Sequence, residues 1–230
     1  MKAIIASAAA LMALGTFGPG PASAEQNEII SIINTAENDS QFGMFSYRRS
    51  FGASLDAGLS FRIDASRGRF DVPGSTGTID TLHLLLGYRM VMDPNTDLTF
   101  YGGVSVRKRD YTVVLPGYDE FNETGAFGSV EINSDFADGG EIFGLVEYDT
   151  TKDVFYTSAF YQADLGGVKI GPTVNFLEEG DYQRRAAGLR VTYPVSDRLD
   201  ITATGAWAEG DTGGPAVNSS YFELQLRTSF

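Results

Sequence analysis

The sequence contains no cysteine and a single histidine, His83. The first absence excludes a disulfide framework, a thiolate metal site and a cysteine nucleophile. It also suits an oxidising compartment, where there is then no thiol to misoxidise. The second excludes a histidine-rich metal cluster. Positive charge is scarce too: 17 Lys+Arg stand against 30 Asp+Glu, a formal net charge of -13. That balance argues against a nucleic-acid partner, which needs a basic surface for phosphates. No apolar run reaches the 18 or more residues of a membrane-spanning helix. There is no linker, no heptad repeat and no low-complexity block, and neither H-E-x-x-H nor G-x-S-x-G occurs. What the chain does have is 27 glycines, 12% aromatic residues and only 20% charged residues in 230. That is too aromatic and too weakly charged for a disordered chain.

The first residues read as an export address. Lys2 supplies a positive start, Ala3 to Phe17 is apolar, Gly18-Pro19-Gly20-Pro21 breaks the run, and Ala22-Ser23-Ala24 is an A-x-A cleavage pattern. The run is too short to span a bilayer as a retained anchor. The expected organisation is a signal peptide over 1–24 and one domain over 25–230.

That domain alternates with period two. Leu82, Leu84, Leu86, Tyr88 and Met90 are separated by Thr81, His83, Leu85, Gly87 and Arg89. Leu98, Phe100, Val104 and Val106 alternate with Thr99, Tyr101, Ser105 and Arg107, and Leu199, Ile201, Ala203 and Trp207 with Asp200, Thr202 and Thr204. Residues at i and i+2 share one face of a strand, so each segment has an apolar and a polar face. A soluble sandwich would turn the apolar faces inward; a transmembrane barrel turns them to lipid. Three observations favour the barrel. The segments have about ten residues or more, the span a tilted strand needs. Tight links at 92–96, 165–167 and 194–197 alternate with long ones at 66–80, 114–123 and 209–220, as short periplasmic turns do with outer loops. The chain ends on Phe230, after alternation from Tyr221, and so resembles the last strand of bacterial outer-membrane proteins, which the barrel assembly machinery reads.

The expected fold is therefore all-β: a single antiparallel transmembrane β-barrel in the bacterial outer membrane. Strands are expected at 42–50, 56–66, 78–91, 97–113, 124–136, 140–149, 154–164, 167–178, 182–193, 198–209 and 220–230. Bacterial barrels have an even strand number, and 28–35 is the candidate partner that makes twelve. The rival reading makes 28–35 a short helix, since Ile29, Ile30 and Ile33 also share a helical face, and leaves ten strands.

With apolar residues outside, the opposite phase lines the lumen: Arg62, Asp64, His83, Arg89, Arg107, Arg109, Glu131, Lys169, Arg184, Arg190, Asp200, Glu223 and Arg227. Charged groups on the lipid face cost about 2–4 kcal/mol at midplane, which sends them inward. The lumen is thus expected to lean basic, with acids such as Asp119, Glu120, Glu123, Glu178, Glu179, Asp181, Glu209 and Asp211 in outer loops. These charges either pair and fill the lumen or line a narrow channel. The inward phase also carries Tyr101, Tyr111, Phe127, Tyr161, Tyr182 and Tyr221, whose rings suit sugar faces as well as packing. His83, near Ser60 and Ser105 if register allows, is either a hydrogen-bonded filler or the base of a lipid-modifying hydrolase. No cofactor and no metal are expected. Acidic loops can bind hard cations and be bridged by them to lipopolysaccharide, but a solvated acidic surface is the plainer reading.

A family resemblance lies in Lys169-Ile170-Gly171-Pro172, Gly180-Asp181-Tyr182-Gln183-Arg184 and Gly188-Leu189-Arg190-Val191-Thr192. Leu86-Gly87-Tyr88 followed by Phe100-Tyr101-Gly102-Gly103 is similar in order and spacing. Together, from about Gly58 onward, these resemble the BcsS-type cellulose-biosynthesis proteins, with Gly171, Pro172, Tyr182 and Gly188 as the matching motif. Thr173 stands where that family has Glu, and Ala186 where it has Arg. The resemblance implies an outer-membrane barrel associated with cellulose production, with a glucan chain or secretion components as partners. Physically, Pro172 removes a ladder donor, so it is expected at a bulge or above the membrane band.

Overall fold

The computed structural model describes residues 26–37, 40–51, 57–72, 74–114, 119–211 and 217–230; the expected signal peptide over 1–24 lies outside them. The twelve strands are β1 (Asn27–Ala36), β2 (Gln41–Ser50), β3 (Gly58–Val72), β4 (Ser75–Asp93), β5 (Thr96–Tyr111), β6 (Phe121–Asp135), β7 (Glu141–Asp149), β8 (Val154–Asp164), β9 (Lys169–Glu179), β10 (Tyr182–Ser196), β11 (Leu199–Asp211) and β12 (Val217–Ser229). Each pairs antiparallel with its chain neighbours, and β1 with β12 closes the barrel. Residues 28–35 are thus a strand, and the ten-strand alternative falls. Following the register once around returns to β1 about 14 residues higher, which for twelve strands corresponds to a tilt of about 40° and a wall-to-wall backbone diameter of about 22 Å.

The long links are shorter than the sequence suggests. Residues 66–80 are mostly strand: β3 and β4 stay paired from Gly58–Arg89 up to Val72–Ser75. β6 begins at Phe121, β11 runs to Asp211 and β12 starts at Val217. Polar outward side chains (Arg67, Arg69, Asp71, Thr76, Asn122) hid these extensions, because beyond the membrane a strand needs no apolar outer face. Arg67 and Asp80 mark that limit on the outside of β3 and β4, paired at 2.7 Å and half exposed. The β7–β8 hairpin is the opposite case. β7 ends at Asp149, opposite Phe127, so the upper part of β6 (Phe121 to Ala126) has no β7 partner.

The faces separate sharply. Leu86 is 65% exposed and its neighbour Leu85 only 1%. From Leu82 to Met90 the outward residues of β4 cover about 27 Å of strand, or about 20 Å of depth at a tilt of about 40°, close to the apolar band of about 25 Å in such barrels. Phe100, Tyr193, Trp207, Phe222 and Phe230 also face outward and stay exposed. Tyr161 joins them at 42%, against its expected inward phase: register pairs it with the outward Ile142, while Phe160 points in.

Pro172 sits in the middle of β9, in the membrane band and without a bulge. The β8–β9 pairing lapses at Tyr161 and Gln162 and resumes at Ala163–Ile170 in unchanged register. A Cβ at Gly171 would collide with the Tyr161 carbonyl oxygen, so glycine permits the close approach there. The buried Gln162 bridges the gap, its Nε2 donating to the carbonyls of Lys169 (3.1 Å) and Arg190 (3.2 Å).

Candidate functional site

The lumen contains the site, and its charges form three levels. At mid-height Arg62 on β3 reaches across the interior. Its Nε donates to Asp64 at 2.9 Å and its Nη1 to Glu131 on β6 at 2.5 Å, while Nη2 lies 3.6 Å from Glu147 on β7. His83 stands between two carboxylates, with Nδ1 3.7 Å from Asp64 and Nε2 3.4 Å from Asp149, and its ring stacks on Phe127 at 4.1 Å. Ser105 Oγ donates to Asp149 at 2.6 Å, and Thr151 caps the same carboxylate. The network spans β3 to β7 and is closely packed: Ser105 and Thr151 are fully buried, and Leu85, Tyr101 and Phe127 pack beside it. A buried charge needs a partner, and this half of the lumen supplies one for each.

Towards the end that holds the chain termini, Glu28 on β1 takes Arg48 (3.2 Å) and Arg227 (2.6 Å). Arg89 pairs with Asp97 at 2.5 Å, and Lys169 with Glu141.

The wall from β8 to β12 differs. Arg190 lies over the Phe160 ring at 4.5 Å and donates to Gln225 at 3.3 Å; Arg184 lies over the Tyr221 ring at 4.7 Å. Asn175 donates to the Tyr221 hydroxyl at 2.8 Å, and Asn34 reaches Glu223 at 3.5 Å. Small residues line the same wall: Ala186, Ala206 and Ala208 pack under Tyr221. Gly188 is forced, since a Cβ there would meet the Gly205 carbonyl and the Ala206 side chain. Arg184, Arg190, Tyr182 and Glu223 are only partly covered. Polar and aromatic groups therefore meet water inside the barrel here.

At the outer mouth Arg107 and Arg109 on β5 both reach Glu179 on β9, a strap across the opening. Phe121 lies beneath three cations: Arg109 at 4.9 Å, Lys152 at 4.8 Å and Arg107 at 6.0 Å. Lys152 also pairs with Glu123 at 2.8 Å.

Every charged residue and the histidine expected in the lumen face inward, as do the motif positions Gly171, Tyr182 and Gly188; Tyr161 and Pro172 face out. Glu123 and Glu179 were expected in outer loops. They instead end strands that run further than anticipated, and face the lumen. With Glu28, Asp97, Glu141, Glu147 and Asp149 also inside, the lumen does not lean basic. The phase rule reaches Glu123 and Glu179 once β6 and β9 are assigned their full length; Glu28, Asp97, Glu141, Glu147 and Asp149 already stand in the inward phase of the expected strands. His83 and Ser105 are register partners, yet Ser105 gives its proton to Asp149 rather than to His83. Phe230 is tied in by its backbone, its carbonyl accepting from Asn27 N at 3.0 Å.

No protein-family model and no curated protein matches this chain. Solved structures do. The beta domain of the Bordetella autotransporter Brka is 14% identical over 90% of this chain and all of that one, with a TM-score of 0.55. The KdgM porin, solved alone and in complex with disordered oligogalacturonate, is 8% identical over 88% of this chain and 99% of its own, with a TM-score of 0.51. The outer membrane phospholipase A of Escherichia coli is 10% identical over 93% and 94%, with a TM-score of 0.50. These likenesses concern fold: the chain is a twelve-stranded outer-membrane β-barrel.

Proposed function

We propose that this chain is a non-enzymatic outer-membrane barrel that assists the biosynthesis, secretion or anchoring of an extracellular polysaccharide, cellulose by its motif resemblance. The observation that supports a saccharide role is the β8–β12 wall. Arg184 and Arg190 lie on aromatic rings, with the Asn175 and Gln225 amides beside them. Guanidinium and amide groups suit sugar hydroxyls, and one barrel of similar fold was solved with oligogalacturonate. The partners of this reading are a glucan chain, cellulose secretion components, lipopolysaccharide and the barrel assembly machinery. The test is a strain lacking the chain, complemented with the wild type or with Arg190→Gln, and scored for cellulase-sensitive exopolysaccharide at the surface. The expected result is a clear drop that only the wild type restores fully. Normal polysaccharide in the deletion strain overturns the proposal.

Two other readings compete. A lipid-modifying hydrolase would use His83, but both of its ring nitrogens face carboxylates and the neighbouring Ser105 is buried on the lumen side, away from lipid. A His83→Ala protein that lost a lipase activity would revive that reading. A small passive channel draws on the partly covered β8–β12 wall. Planar-bilayer recording separates it from a filled barrel: the Arg62 network predicts small or no steady conductance in the wild type.

A further inference from the structure

The outer mouth holds a feature that filling the barrel does not require. Arg107, Arg109 and Lys152 converge on the face of Phe121, and among the described residues two carboxylates, Glu179 and Glu123, meet them there. Arg107 is 8% exposed, and among the described residues its Nη1 has no acceptor; the Nε of Arg109 has none there either. A buried guanidinium N–H without an acceptor is costly, and it marks a place where an anionic oxygen gains a charge-assisted hydrogen bond. Further rings surround the cations. Arg109 also stands 6.0 Å above Phe70, and Phe70 meets Tyr111 edge-on at 6.0 Å. Access comes from the short β7–β8 hairpin. It stops opposite Phe127, so the barrel wall is low beside Phe121 and the mouth opens sideways above Lys152.

Resting on the saccharide reading above, we propose that this mouth is a binding site for an acidic saccharide, with a uronate carboxylate held by Arg107, Arg109 and Lys152 and a sugar face against Phe121. Glu179 pairs with both arginines and leaves them one net positive charge. A carboxylate bound there takes the free Nη1 and Nε protons, and neutral glucans lack the group that would do so.

The experiment is calorimetric titration of the full-length barrel in detergent micelles with trigalacturonate, with cellotriose as the neutral probe and inorganic phosphate as the simple anion. Trigalacturonate is expected to bind at least tenfold more tightly than either, and to weaken as salt rises, because exposed charges are screened. Lys152→Gln, which leaves the strap intact, is expected to cost severalfold, and Arg109→Gln tenfold or more. Unchanged heat-modifiable mobility shows that both variants still fold. Equal binding of cellotriose, equal binding of phosphate, or unchanged affinity in both folded variants overturns the site. Its fate is separable from that of the polysaccharide role. A deletion strain with normal polysaccharide and a barrel that binds trigalacturonate would remove the role and keep the site.

Discussion

Two ion pairs of similar geometry do different things. Arg67 and Asp80 meet at 2.7 Å but are 58% and 41% exposed. Arg62 and its carboxylates are mostly buried. An exposed pair contributes about 0–1 kcal/mol, whereas removing one partner of a buried pair costs about 3–5 kcal/mol. Arg62→Ala strands Asp64, Glu131 and Glu147 together, so it is expected to lower the urea midpoint of the vesicle-inserted barrel strongly. Arg67→Ala should leave it almost unmoved, with Trp207 fluorescence as the readout for both. Glycines give a second contrast. A Cβ at Gly103 would run into the Leu84 carbonyl, while one at Gly102 meets nothing within 4 Å. Gly103→Ala is expected to reduce the heat-modifiable folded fraction and Gly102→Ala to leave it intact. At this scale the sequence said a good deal. A charge in the polar phase has to face inward, and that held for Arg62 through Arg227. Which partner each charge finds was not legible, because Arg62 with Glu131, and Arg107 with Glu179, join strands that are not neighbours.

Strand by strand, phase was easier to read than length. β4 shows why. Its outward set from Leu82 to Met90 is apolar without exception, but its outer end (Ser75 to Gly77) carries no apolar side chain and resembled a loop. Alternation exists only where one side meets lipid, so it ends at the membrane surface even where the hydrogen-bond ladder continues. β8 failed differently. Phe160 and Tyr161 are adjacent aromatics, and neither face of that strand is strongly polar, so its phase was ambiguous until pairing with β7 fixed it. β1 is ambiguous for a third reason: Ile30 and Ile32 face the lumen opposite Ser46 and Met44, and its isoleucines fit a helix as well as a strand. A cysteine scan of β4 tests the boundary. Single Leu82→Cys, Leu84→Cys and Leu86→Cys variants in vesicles should resist a water-soluble maleimide, and Asp80→Cys should react quickly. Rapid labelling at Leu84→Cys would mean that the lipid band is misplaced.

Seen whole, the barrel is braced unevenly. From β3 to β7 the interior is closely packed and crossed by the Arg62 and His83 networks; from β8 to β12 arginines lie on rings, and Tyr182, Arg184, Arg190 and Glu223 are only partly covered. Such asymmetry favours a narrow, off-centre path over a central pore. Removing the brace should therefore open the molecule more than altering the wet wall. Arg62→Ala combined with Glu131→Ala is expected to raise planar-bilayer conductance several-fold above the wild type, and Arg190→Gln to change it little. Equal conductance in all three proteins would show that the brace does not set the passage.

The seam between β1 and β12 has a consequence in time. Asn27 and Phe230 hold each other through their backbones across 203 positions of sequence, and Glu28 receives Arg227 over nearly the same separation. Contacts this distant are the slowest to form. Until the last strand emerges, β1 must wait with a bare edge, the kind of surface on which other chains add strands. Every incomplete copy is thus a template for aggregation. Which two strands close the barrel therefore sets how long that edge stays bare.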